Sequence, residues 1–278
     1  MKRGCGVSQF GLIRNAWQEL WQRNRTGGIL TLAFWYTMIT SLYQYLVASR
    51  LGPELPSGLR HMLTHPSGLT TFPHLPSALW IKLGLVYLTF LLVVLPFTLA
   101  GLYGGVADTM RDRQRVNGFL AFFRYAALHF WKAITQFVLT VIGMIVVFVV
   151  FSLLMTLTAT ASGGVGVFLT VILLIIFLVL VLSLVAVVLL WFGSTFYGEV
   201  PPLEGLGRVV RWVVGHWPFA WSSMVLLVGL ALAYAGVGLV LSSIPVIGPF
   251  VGVVMLGMIF PAFIAVYAMT FYQAAQQR

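Results

Sequence analysis

Charge is what this chain has least of. Only 8% of its 278 residues are Asp, Glu, Lys or Arg and 60% are hydrophobic, against roughly 25% and roughly 45–50% in soluble domains. Those proportions exclude a water-soluble fold. Acids are scarcer still, six against sixteen Lys and Arg, which leaves a formal charge of +10. Such an excess can mark a nucleic-acid binder, but that requires basic residues gathered on a soluble domain, and the chain has none. Beside apolar segments the same excess points to anionic lipid headgroups. Cysteine is almost missing: the lone Cys5 rules out an intramolecular disulfide and leaves the redox compartment open. There is no GxSxG, phosphate-binding glycine loop or Cys–His cluster, and no cofactor is implied. The opening Met1-Lys2-Arg3 has the charge of a signal-peptide start. Gln9, Arg14, Gln18 and Glu19 follow in place of an apolar core, so an uncleaved N-terminus is expected.

What is present is long uncharged runs. A helix needs about 20 apolar residues to cross the hydrocarbon, where every backbone polar group must be satisfied internally. Arg25 and Arg50 bracket 24 uncharged residues and Lys82 and Asp108 bracket 25, one crossing each. Lys132 to Glu199 and Arg211 to Arg278 each bracket 66, enough for two crossings. Reversals are expected at Ala161-Ser162-Gly163-Gly164 and at Ser242-Ser243-Ile244-Pro245-Val246-Ile247-Gly248-Pro249, the second as a hairpin turn or a re-entrant loop. Pro96, inside the second span, is expected to kink it. The reading is an all-α integral membrane fold in a single membrane domain, residues 1–278, with six transmembrane helices arranged as three hairpins.

With six spans, thirteen of the sixteen Lys and Arg fall on one side, and Arg50, Arg60 and Lys82 on the other. The positive-inside rule places the larger group, and both termini, in the cytoplasm.

Each hairpin is preceded by a stretch that reads as a basic amphipathic helix lying along the interface. The first stripes Phe10, Ile13, Trp17, Leu20 and Trp21 against Arg14, Gln18, Gln22 and Arg25. The second stripes Val116, Phe119, Leu120, Phe123, Ala127 and Phe130 against Asn117, Arg124 and Lys132; the third, after Pro201-Pro202, stripes Leu206, Val209, Val210, Val213 and Trp217 against Arg208 and Arg211. These stretches resemble one another. An offset of 87 superimposes Arg124 on Arg211, Tyr125 on Trp212, His129 on His216 and Ala133 on Ala220, and an offset of 110 places Arg14, Ala16 and Trp21 under Arg124, Ala126 and Trp131. Either an internal triplication with units at 8–107, 109–197 and 203–275, or the common habit of interfacial helices to carry Arg, Trp and His, accounts for the matches.

Gly101-Leu102-Tyr103-Gly104-Gly105 followed by a basic aromatic helix, together with the closing Ile244 to Pro249 turn, resembles bacterial multi-span proteins similar to the membrane domain attached to some glycerophosphodiester phosphodiesterases. The resemblance implies a bacterial cytoplasmic-membrane location. The catalytic barrel of those enzymes would bring acids and histidines that this chain does not carry, so hydrolase activity is not implied.

Candidate sites are few. Arg14, Arg111, Arg113, Arg115, Arg124, Lys132, Arg208 and Arg211 are the expected contacts for anionic headgroups. His61 and His65, four apart, and His74 share the one long outer loop, as metal ligands or as ordinary loop histidines; Pro56, Pro66, Pro73 and Pro76 favour an extended loop over the helix that a metal pair would need. Asp108, Asp112, Glu199 and Glu204 lie at span ends, where neighbouring arginines account for them. The four-residue spacing of Gly101 and Gly105, and of Gly248 and Gly252, suits close helix packing. The expectation is a non-enzymatic protein with a structural, assembly or lipid-interacting role. A permease for a lipid-like or neutral solute, or an accessory subunit of a membrane complex, are the alternatives. A polar cavity at mid-membrane favours the permease and a dry bundle the first reading.

Overall fold

The computed structural model describes residues 8–51, 77–111, 119–159, 164–242, 244 and 257–277. Cys5, the expected outer loop with His61, His65 and His74, Arg113 and Arg115, the expected reversals at Ala161 to Gly163 and Pro245 to Pro249, and Gly252 all lie outside the described residues.

Every regular element among the described residues is helical. Helix α1 (Gln9–Gly27) opens on Ser8, whose hydroxyl accepts the Gly11 N–H at 3.1 Å and satisfies a donor that a helix start leaves unpaired. It closes at Gly28, whose left-handed φ of 65° is open to glycine without strain, and the Gly28 N–H returns to the Asn24 carbonyl. The Asn24 side chain then accepts the Leu30 N–H at 3.0 Å at the start of α2 (Ile29–Leu51). Beyond residues 52–76 come α3 (Ser77–Thr89), a π-helical turn at Phe90–Val94, and α4 (Leu95–Met110). Helix α5 (Phe119–Ala159) is followed by α6 (Gly164–Phe192), which runs on into a π-helical turn at Gly193–Tyr197. Helices α7 (Pro202–Gly215), α8 (Trp217–Ser242) and α9 (Phe260–Gln276) complete the chain.

Five stretches are long and apolar enough to cross a bilayer: Ile81–Met110, Phe119–Thr156, Val165–Tyr197, Trp217–Val240 and Gly257–Gln276. Helix α2 has the length, 23 residues, but Thr37, Thr40, Ser41 and Gln44 dilute its hydropathy and it is not among the five. Ile142, Ile145, Phe148 and Leu153 of α5 and Phe168, Ile175 and Leu178 of α6 are exposed. A belt of large apolar side chains turned outward suits hydrocarbon, not water.

The sequence suggests an interfacial segment followed by a separate third span. Instead both belong to α5, a single helix of 41 residues and about 60 Å in length. The reason is the lack of a breaker: α1 ends at Gly28 and α7 stops before Trp217-Pro218, whereas α5 contains no proline.

Proline shapes two of the other helices. Its ring clashes with the carbonyl four residues back and it brings no N–H. The expected distortion at Pro96 takes the form of the π turn Phe90–Val94 just before it. Pro261 likewise follows π-helical residues 257–259, and the Gly257 carbonyl that it leaves without a helical donor accepts the Thr37 hydroxyl of α2 instead.

The core is built by α4, the end of α6 and α9, which touch one another and hold the buried residues Tyr103, Val106, Trp191, Phe196, Val266, Tyr267 and Phe271. Around them α5 packs on α4, α7 and α8 on α6, and α1 on α9. Missing Cβ atoms let these helices close up, since a Cβ on Gly101 would meet the Phe122 ring at 2.7 Å and one on Gly105 would meet Leu32 at 2.6 Å.

Candidate functional site

The basic positions of α1, α5 and α7 sit in matching surroundings. Leu12, Phe122 and Val209 are buried, as are Ala16, Ala126 and Val213, while Arg14, Arg124 and Arg211 are exposed. These are the positions that the offsets of 110 and 87 superimpose. The rings match as well: Tyr125 lies parallel to His129 with centroids 6.5 Å apart, and Trp212 stacks on His216 at 4.8 Å.

The apolar stripes read from the sequence have a different orientation in the fold. Helix α1 turns Leu12, Ala16 and Leu20 to the protein and leaves Phe10, Trp17 and Trp21 exposed. Helix α7 turns Gly205, Val209 and Val213 inward and leaves Leu203, Val210 and Val214 exposed. The inward-facing side chains are small or aliphatic and allow close approach of the helices. Arg14 and Arg124 form no ion pair among the described residues, Arg208 pairs with Glu204 one turn back, and the Arg211 Nε donates to the Gly207 carbonyl at 3.2 Å.

Arg111 is different. It follows the last turn of α4, and its side chain is only 12% exposed. Its Nη1 lies 2.6 Å from Glu199 Oε1 and 3.7 Å from Asp108 Oδ1. Its Nη2 donates to the Phe196 carbonyl at 2.8 Å and to the Tyr197 carbonyl, and the guanidinium lies 5.4 Å from the Tyr197 ring centroid. Those carbonyls close the π turn of α6, where a cation is favoured by the helix dipole. Glu199 reaches the arginine from a backbone with φ of 56°, held in part by the Val200 N–H donating to the Ser194 carbonyl. Arg111 therefore clamps α4 to the end of α6 from inside. Both acids were expected to pair with neighbouring arginines; Asp108 does so three residues away, whereas the arginine that Glu199 meets is 88 residues distant in sequence.

Beneath this clamp lies an uncharged polar contact that a search for charges passes over. Gln136, fully buried, donates from Nε2 to the Trp191 carbonyl at 3.1 Å and to Thr195 Oγ1 at 2.8 Å. His129 packs over Gly104, where a Cβ would lie 2.5 Å from the imidazole. No three His, Cys, Asp or Glu residues come together as a metal site among the described residues.

Two grooves flank α1. One, of about 540 Å³, is lined almost wholly by apolar side chains of α1, α8 and α9, with Arg14 among them. The other, of about 190 Å³, is polar and lies between Asn15, Gln18 and Gln22 of α1 and Thr270, Gln273 and Gln277 at the end of α9.

Set against protein-family models, curated proteins and solved structures, the chain matches none of them.

Proposed function

We propose that this is a bacterial cytoplasmic-membrane protein of six spans that engages anionic lipid at the cytoplasmic boundary and serves a structural or assembly role without catalysis. Helix α2 is the sixth span, its hydroxyls bonded to helix carbonyls, as Thr40 is to Tyr36 at 2.9 Å and Thr37 is to Gly257. The spans form three hairpins, each led by a basic segment, and the units arose by triplication. The observation that carries the reading is the shared exposure of Arg14, Arg124 and Arg211 on helices whose opposite faces are buried in register. Exposed Trp17, Trp21, Trp131 and Trp217 stand on the same segments, the belt that aromatic rings form at a lipid boundary. The buried polar groups also favour this reading over a permease. Thr98 and Thr109 each bond to a carbonyl of their own helix instead of lining a polar path.

The reading predicts that purified protein in neutral detergent is stabilised against heat by phosphatidylglycerol more than by phosphatidylcholine. Arg14→Gln, Arg124→Gln and Arg211→Gln together should remove most of the difference, at about 1 kcal/mol per basic residue. Equal stabilisation of the unmodified chain by both lipids would refute it.

A further inference from the structure

We infer that the apolar groove between α1, α8 and α9 holds one acyl chain of an anionic phospholipid whose phosphate pairs with Arg14; this rests on the lipid reading above and narrows it to one site. The groove has a volume of about 540 Å³, within the roughly 300–1,000 Å³ of sites that enclose small molecules. Its walls are Ile13, Leu230, Ile259 and Phe263, with Tyr234 stacked on Phe260 at 5.4 Å and Trp17 leaning on Phe263 at 5.9 Å. Phe10 is 73% exposed at the groove, so the groove is reached from the surface.

Its direction suits a lipid. Gln9 donates to Ser222 Oγ at 2.9 Å, which pins the start of α1 near the start of α8. Leu230 and Tyr234 lie further along α8, Tyr234 about 18 Å from Ser222 at 1.5 Å per residue. The groove thus runs from α1 down into the span, along the path that an acyl chain takes from its headgroup. Charge complementarity selects the lipid: Arg14 is the only cation in the lining, is exposed, and has no hydrogen bond or ion pair among the described residues. An acyl chain fills the groove while the guanidinium forks onto a phosphate. Glu19, the one acid of α1, pairs with Arg23 and so does not compete for Arg14.

The test uses the full-length protein in bilayers that contain phosphatidylglycerol with a photoreactive diazirine halfway along one acyl chain, with adducts mapped by mass spectrometry. Adducts should concentrate at residues 230–234 and 259–263. Arg14→Gln should cut them about fivefold, Arg14→Lys should retain most of them, and the phosphatidylcholine analogue should label the groove weakly. Leu230→Trp, which fills the groove and leaves Arg14 in place, should abolish labelling there. Adducts spread evenly over the outer faces of α5 and α6, groove labelling indifferent to Arg14→Gln, or cross-linked dimers joined through the groove would each overturn the assignment. If the heat stabilisation by phosphatidylglycerol persists while groove labelling fails, only this site falls; if that lipid preference is itself missing, the broader reading falls with it.

Discussion

Arg111→Met should cost the folded protein about 2–3 kcal/mol, the largest loss expected from any single arginine. Removing one partner of a buried ion pair costs about 3–5 kcal/mol, because the groups left behind have surrendered water without a replacement. Glu199 is 54% exposed and can recover solvent, which lowers the figure. The Phe196 and Tyr197 carbonyls are part of the α6 terminus and lose their donor outright. Arg111→Lys keeps the charge but not the fork that reaches Glu199 and both carbonyls together, so it should recover less than half of the loss. Unfolding by a denaturing detergent, followed by circular dichroism, measures both. Arg124→Met, at an exposed position, is the control and should change stability little.

The second large effect belongs to a glycine. A Cβ on Gly193 would stand 2.6 Å from the Ala268 carbonyl oxygen and 2.6 Å from Tyr272 Cβ, so the obstruction is backbone and the root of a side chain. Neither can swing aside, and Gly193→Ala must push α6 and α9 apart at the centre of the core, at a cost of about 2–3 kcal/mol. Gly105→Ala meets the methyl groups of Leu32, the end of a side chain and not backbone, although that side chain is itself buried. The gain of about 1 kcal/mol that alanine brings to a helix offsets part of the cost of repacking it, so the loss should be the smaller of the two. The same unfolding measurement should therefore separate the two variants clearly, and equal losses would show that α6 and α9 do not pack as described.

The contrast between Arg111 and Arg14 shows what could be read in advance. Both flank apolar stretches and both were expected to contact headgroups. Only the tertiary fold distinguishes them, because the carboxylate that draws Arg111 inward comes from the link between α6 and α7. The second, third and fourth uncharged windows located the five long apolar helices, since the absence of charge is a local property; the first holds α2, whose hydropathy is lower. The distortion at Pro96 was similarly accessible, because proline acts on its own backbone.

Orientation of the helix faces was not legible, and the reason is physical. In water, one apolar face of a helix means one buried face, so periodicity is sufficient. Beside lipid, α1 has two apolar faces, Leu12, Ala16 and Leu20 toward protein and Phe10, Trp17 and Trp21 away from it, and hydropathy cannot rank them. Side-chain size can, and the small Ala16 was the available clue. The close approach at Gly101 and Gly105 was foreseen from spacing, whereas Gly193 was not, because its partner Ala268 lies on a helix far along the chain. Gln136 escaped for a further reason: being uncharged, it left the third window unbroken.

The central claim is that Arg14, Arg124 and Arg211 stand at one and the same face of the membrane, where lipid headgroups can reach them all. Cys5 is the single cysteine, so Cys5→Ser gives a background in which one new thiol can be placed at a time. Thiols at positions 14, 124 and 211 should all resist a membrane-impermeant maleimide in intact cells and all react once the cells are opened, while a thiol at position 50 should react from outside. If positions 124 and 211 were labelled from opposite sides, the common face would not exist and the account would be wrong.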